Sequence, residues 1–454
     1  MSEREFDVVV LGAGSSGEVC AGRLADGGLE VAIVEGHLVG GECSYYACMP
    51  SKALLRPAQA LAEIARIPGA AGAVTRGVDP SAVFSRRDEV ISHRDDSGQL
   101  TWLEDRGIEL VRGEARLEGE RRIWAGREML VARKAVVVAT GTVAAVPPIE
   151  GLAEAEPWTN REATTASEVP GRLLVLGGGP VGVELAQAFA TLGSSVAVVE
   201  GEDRLVPNLE EFASAEIAAG LRADGIDVRT GVKGNAVRGS KKVRLELSDG
   251  EAVEGDVLLC AIGRRPRTDD LGLESVGIAS GGYLDVDDQL RVEGRDWLHA
   301  VGDVNGRALL THTGKYQARI CADHILGRDV AATRDRHGPP QVVFTEPQAA
   351  AVGHTLGSAR EAGLDARAVD VETSKTAGAS FHGRNASGTS RIVVDEGRRV
   401  IVGATFVGPD VAEWLHAATV AVVGEVELDR LWHSIAAYPT RSEIWLKLLE
   451  EYGL

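Results

Sequence analysis

Short, mostly apolar runs recur along the chain, most of them closed by glycine or an acid. They are Phe6-Asp7-Val8-Val9-Val10-Leu11, Val31–Val34, Ala135–Ala139, Leu173–Leu176, Val196–Val199, Val257–Ile262 and Leu298–Val301. Runs of this length without polar alternation predict parallel strands buried on both faces. Glycine-rich loops and helix-spaced segments follow two of them, at Leu11 and Leu176. From Ala62 to Leu117 the pattern reads as mostly helical and charged, broken early by Pro68, Gly69 and Gly72. Val146-Pro147-Pro148 through Gly151 and Gly338-Pro339-Pro340 read as boundaries. Beyond the second, Arg391–Val394 and Val400–Phe406 predict an antiparallel sheet with helices packed on it.

The expected fold is therefore α/β, with two Rossmann-like dinucleotide-binding domains and a C-terminal α+β domain. In the first loop, Gly12, Gly14 and Gly17, with Ser15 and Ser16 between the last two, open a helix, and the next strand ends on Glu35. Glycines there let backbone approach a pyrophosphate at a helix start, and the acid takes a ribose hydroxyl pair. Gly177, Gly179, Gly182 and Glu200, with Val181 in the loop, repeat the pattern, each 165 positions after its counterpart and with no gap. Two dinucleotides follow from the repeat. Glu200 favours a free ribose hydroxyl, hence NADH over NADPH, although nearby Arg204 leaves NADP(H) open.

Composition narrows the partners. The 454 residues are 44% hydrophobic and 25% charged, as in soluble globular proteins, and two to four domains are expected. A net charge of −19 argues against nucleic acid and anionic membrane. The run Arg264-Arg265-Pro266-Arg267 is short enough to be a solvated patch or a local phosphate contact. No apolar run reaches ~20 residues. Met1–Asp7 lead straight into a strand without a targeting pattern, and with five cysteines this points to the cytoplasm.

Candidate chemistry concentrates in Gly40-Gly41-Glu42-Cys43-Ser44-Tyr45-Tyr46-Ala47-Cys48-Met49-Pro50-Ser51-Lys52. Two cysteines before an apolar helical run make a candidate redox disulfide at a helix start, where thiolate is favoured and a lysine helps. Zinc would need two further ligands, while Cys20, Cys260 and Cys321 stand singly; no metal is expected. A structural disulfide and plain buried thiols are the other readings. Tyr45 and Tyr46 could narrow a thiol pocket or simply pack.

Taken together, these motifs resemble the class I pyridine nucleotide–disulfide oxidoreductases, the family of dihydrolipoamide dehydrogenase, glutathione reductase and mercuric reductase. The most specific piece is Gly-Gly-x-Cys-x-x-x-x-Cys-x-Pro-Ser-Lys. Support comes from Ala139-Thr140-Gly141, Gly263-Arg264-Arg265-Pro266, Gly302-Asp303, Val343-Phe344-Thr345-x-Pro347 and Pro439-Thr440-x-x-Glu443. The resemblance implies FAD in residues 1–150 with 267–337, NAD(P)H in residues 151–266, and homodimerisation through 338–454. It implies Glu35 on the adenosine ribose and Asp303 on the ribityl chain. Gly41, Thr140, Gly141, Gly302 and Gly263 would line the nucleotides. Cys48 would be the thiol facing flavin and Cys43 the one facing a small-molecule acceptor. Lys52 and Glu184 would pair beside the flavin N5, and Thr311-His312 would lie at its pyrimidine edge. Residues Tyr438–Glu443 of one subunit would complete the other's active site.

One departure redirects the activity. The family's disulfide reductases carry histidine before Pro-Thr, where this chain has Tyr438. With an unperturbed pKa of ~10 against ~6.5, tyrosine donates a proton at neutral pH but is a poor acceptor, worse by roughly 5 kcal/mol. His433, expected on a helix beside Trp432, is not given the role. The expectation is a cytoplasmic enzyme that reduces an acceptor other than lipoamide or glutathione. Dihydrolipoamide dehydrogenase, a quinone reductase-type flavoenzyme and a non-catalytic redox-sensing flavoprotein are the alternatives.

Overall fold

A computed structural model describes residues 3–239, 242–336 and 338–454; the domain ends expected at 1 and 337 lie outside the described residues. The chain divides into two compact units, one of residues 1–50, 87–145 and 264–336, the other of residues 51–86, 146–263 and 337–454.

The first unit is built on a seven-stranded sheet. Its strand order is Glu109–Arg112, Val31–Glu35, Glu3–Leu11, Glu128–Val138, Arg122–Ala125 and Ala115–Leu117, with Leu298–Ala300 also paired to Glu128–Val138. The strands on and around Glu3–Leu11 run parallel, with Val10 opposite Ile33 on one side and Val137 on the other. Val8 and Val10 pack toward the helices Ser15–Asp26 and Thr311–Ile325, while Val9 and Leu11 pack on the opposite face with Ile123 and Leu130. Because successive strand residues point to opposite faces, covering both faces requires the unbroken apolar run.

The second unit repeats the motif with four parallel strands in the order Asp227–Arg229, Ser195–Val199, Arg172–Leu176 and Val257–Cys260. It also holds a five-stranded antiparallel sheet, Gln341–Val343, Gln348–Gly353, Val400–Gly408, Thr389–Asp395 and Ala366–Glu372. The helices Leu415–Val423 and Ile444–Tyr452 bury Leu415, Ala418, Leu448 and Leu449 against that sheet.

Two local expectations need correction. The stretch before Leu117 is not helical to its end, because Glu109–Arg112 and Ala115–Leu117 add strands to the first sheet. His433 lies in the turn after the short helix Leu428–Leu431, not on a helix. Among the described residues no helix is long and apolar enough to cross a membrane.

Candidate active site

In the first unit, Gly12 has φ +102°, and a Cβ there would stand 2.6 Å from the Ala139 carbonyl oxygen. Only glycine fits a left-handed turn that close to a neighbouring strand. Glu35 turns back on this loop: the Ala13 N–H donates to one carboxylate oxygen at 2.8 Å and the His37 N–H to the other at 2.8 Å. The same clamp holds the second unit's loop. Gly177 has φ +111° and abuts the Ala261 carbonyl, while Gly178 N–H donates to Glu200 at 2.5 Å and Glu202 N–H at 2.8 Å. Around Gly179 a Cβ would meet nothing within 4 Å, and around Gly14 only the Gly41 Cα at 4.0 Å. Each cradle is thus open in front of a helix N-terminus, the place that suits a pyrophosphate. Val181 lies in the first turn of the second helix and is exposed.

The dithiol segment docks on the first cradle through backbone. Gly40 N–H donates to the Ala13 carbonyl at 2.7 Å, and Gly41, at φ +65°, leaves no room for a Cβ beside the Gly14 Cα. Cys43 sits in the short helix Gly41–Tyr45, and Cys48 is the first residue of the helix Cys48–Arg66. The two side chains hydrogen-bond each other, and the Ser15 and Thr311 hydroxyls reach Cys43. Thr311 Oγ1 also lies 3.4 Å from Cys48 Sγ. The Cys48 sulfur, and burial after it, hold the Cys43 proton on well above the usual thiol range. Tyr45 does not narrow this site; it is buried, and its hydroxyl donates to the Val39 carbonyl at 3.1 Å.

Asp303 stands in the turn Gly302–Asn305, where Thr142 Oγ1 donates to it at 2.9 Å. Burial raises its pKa. The turn is held by Gln317, whose Oε1 accepts from Gly302 N at 2.8 Å and from Asn305 Nδ2 at 2.9 Å. Thr140 Oγ1 donates to the Arg267 carbonyl at 2.9 Å, and the Arg267 N–H donates to the Gly141 carbonyl at 3.0 Å. Arg264 and Arg265 do not form a phosphate patch: Arg264 turns inward onto Thr142 at 2.6 Å, and Arg265 pairs with Asp269. His312 is exposed in the first turn of the helix Thr311–Ile325, and Gly263 (φ +145°) ends the strand side of the second unit.

Within the second unit Lys52 Nζ lies 2.7 Å from Glu184 Oε2 and 4.8 Å from the Phe344 ring centroid. Glu184 is 4% exposed and accepts the Phe344 N–H at 3.0 Å through its other oxygen. These are not ordinary surface charges. Arg204 is tied down, donating to the Pro207 and Leu209 carbonyls at 2.7 and 2.8 Å. Tyr438 is 78% exposed, whereas Glu443 Oε2 is buried without a hydrogen-bond partner among the described residues. Thr142 and Phe344 lie in stretches the sequence singled out but without these partners, and Gln317 was not singled out; proximity in the fold gives all three their supporting contacts.

Two open glycine cradles, each closed by an acid, and a contacting cysteine pair docked on the first define a two-nucleotide dithiol flavoenzyme. The chain belongs to the pyridine nucleotide-disulphide oxidoreductases: that family's model matches residues 6–318, and the family's dimerisation domain matches residues 339–449. It is thus a class I enzyme of a family that uses FAD and NAD(P)H. The dihydrolipoyl dehydrogenase of Haloferax volcanii is 31% identical over 98% of this chain and 95% of its own length. A mercuric reductase of Staphylococcus aureus is 30% identical over 97% of this chain and 81% of its own. Among solved structures, the Cu(II) complex of the HOCl-induced flavoprotein disulfide reductase RclA from Escherichia coli superposes with a TM-score of 0.87. It is 27% identical and covers 98% of this chain and 99% of that one.

Proposed function

We propose that the enzyme works as a cytoplasmic homodimer that oxidises NADH and reduces a small-molecule disulfide or related acceptor other than lipoamide or glutathione. Per turnover NADH, a proton and an acceptor disulfide become NAD⁺ and two thiols. The observation that carries this reading is the Cys43–Cys48 contact at a helix start beside the first cradle. FAD, when bound, supplies the two-electron link between nicotinamide and dithiol. We assign it to residues 1–150 with 267–337, the nicotinamide nucleotide to 151–266 and the dimer contact to 338–454.

The chain's own groups divide the remaining work. Glu35 and Glu200 each keep lone pairs for a ribose after accepting two backbone N–H groups. Asp303 accepts hydroxyls of the flavin's ribityl chain. Cys48 takes the flavin-facing role and Cys43 the acceptor-facing one, and Cys43, whose proton Cys48 and burial hold on, must lose that proton to attack the acceptor disulfide. Lys52 and Glu184 supply a fixed charge pair, and Tyr438 donates a proton to the leaving thiolate. Exposed Ile435, Phe381 and Val420 on the dimerisation domain support burial against a second copy. Glu200 and the tethered Arg204 support NADH over NADPH.

An anaerobic NADH titration of wild type and Cys48→Ala tests the reading. A long-wavelength thiolate–flavin band that vanishes in the variant is expected, with dihydrolipoamide oxidation far below the ~1–10³ s⁻¹ common for enzymes. Flavin bleaching without that band in either protein would instead mean that the cysteines are bypassed, as in a quinone reductase. Fast dihydrolipoamide turnover would restore the dihydrolipoamide dehydrogenase reading.

A further inference from the structure

Glu42 sits between Gly41 and Cys43 in the dithiol segment, and its carboxylate points at Arg264, Oε2 to Nη2 3.6 Å. The Arg264 guanidinium is spent on the same small region. Nε donates to Thr142 Oγ1 at 2.6 Å, Nη2 donates to the Thr142 carbonyl at 3.0 Å, and Nε stands 4.0 Å from Asp303 Oδ2. Thr142 Oγ1 passes its own proton on to Asp303 at 2.9 Å. All three charged side chains are largely buried, between 20% and 26% exposed. The Tyr283 hydroxyl closes the cluster by donating to the Arg264 carbonyl at 3.2 Å. Two acids from separate segments thus share one guanidinium in a region of low solvent access, where charge interactions are strong.

We infer that Arg264 is a positioning residue that holds Asp303 ionised and aimed at the flavin's ribityl chain, that Glu42 competes for the same guanidinium, and that the balance between them sets the acid limit below which the enzyme releases FAD. The inference rests on the assignment of Asp303 to that chain. Its direction follows from charge. Arg264 favours the charged form of Asp303, Glu42 opposes it, and burial opposes it most. Thr142 acts with Arg264 by donating to the carboxylate. The bridge also links the dithiol segment to the flavin acid, since Glu42 precedes the acceptor-facing Cys43.

The test uses holoenzyme diluted at a series of pH values, with released flavin read by fluorescence at equilibrium. Arg264→Met should raise the pH midpoint of release by about one unit or more, and Glu42→Gln should lower it. Arg264→Lys keeps the charge and should hold the midpoint near wild type, and the double variant Glu42→Gln/Arg264→Met should fall between the singles. A role limited to packing would change release equally at every pH and leave the midpoint in place. Glu18, whose carboxyl burial lifts to about 7, titrates alike in all variants and cancels in the comparison. Coincident midpoints for Glu42→Gln, Arg264→Lys and wild type overturn the inference even if Arg264→Met fails to fold. Asp303→Asn separates the two levels. Weaker flavin retention without midpoint shifts in the other variants sinks the bridge alone, while unchanged retention sinks the Asp303 assignment and the bridge with it.

Discussion

The two glycine cradles are nearly superimposable in logic and differ in what their helices and following segments carry. Both use a positive-φ glycine against a neighbouring carbonyl and an acid that accepts two backbone N–H groups, at Ala13 and His37 in one and at Gly178 and Glu202 in the other. At the position where the first helix has Val19, the second has Glu184, the buried partner of Lys52. After its acid, the first repeat runs into Gly40-Gly41 and the dithiol; the second runs into Arg204, folded back on local carbonyls. The same cradle geometry occurs twice, and the cysteine pair lies outside the part that repeats.

The comparison breaks most visibly at the glycines. Gly12→Ala should yield protein depleted of flavin, seen as lost visible absorbance. Gly177→Ala should stay yellow but bleach with NADH about five- to a hundredfold more slowly, in line with the 1–3 kcal/mol typical of strained backbone. Equal flavin loss in both would mean that the repeats do not divide the nucleotides.

Acid should separate the units next. His299, in the first unit's sheet, is 2% exposed, its ring nitrogens have no partner among the described residues, and the His324 ring lies 5.9 Å away. Burial lowers its pKa to about 4. Its folded pKa lies below the unfolded value of ~6.5, so its contribution is complete above pH 6.5 and is lost as pH falls toward 4, about 3 kcal/mol in all. Denaturant titrations from pH 7 to 4 should show this slope, and His299→Phe should flatten it.

The smallest effects concern nucleotide choice. Glu200→Gln turns one acceptor oxygen toward a backbone N–H as a donor and should raise KM for NADH about tenfold, a charged hydrogen bond's worth. Arg204→Ala should leave the NADH-to-NADPH ratio of kcat/KM within about twofold, because its guanidinium is already satisfied. A collapse of NADPH use in Arg204→Ala would show that the arginine does leave its carbonyls for a phosphate.

Much of this architecture was legible before folding. The apolar runs, glycine spacing and closing acids depend on local backbone rules, so Gly12 through Glu35 and Gly177 through Glu200 could be located by pattern. Cys43 and Cys48 were legible for the same reason, being close in sequence and at a helix start. Contacts between distant segments were less legible. Cys20 and Cys321 stand singly in the sequence yet hydrogen-bond in the first unit, because two helices from distant segments pack together. For Tyr45 the sequence left pocket and packing open, and the fold chose packing, with its hydroxyl on the Val39 carbonyl.

What the sequence by itself determined is the class of protein: two glycine cradles each with a closing acid, a cysteine pair beside the first, and Tyr438 ahead of Pro439-Thr440. These follow from short-range steric and chemical constraints that any chain with those residues must meet. Only the tertiary structure decided which charges meet. It buried Glu184 against Lys52 and Phe344, turned Arg264 away from solvent onto Thr142, and brought it between Glu42 and Asp303. Most of these pairings join residues more than a hundred positions apart, and no local rule specifies them; packing of the sheets and helices brings them together.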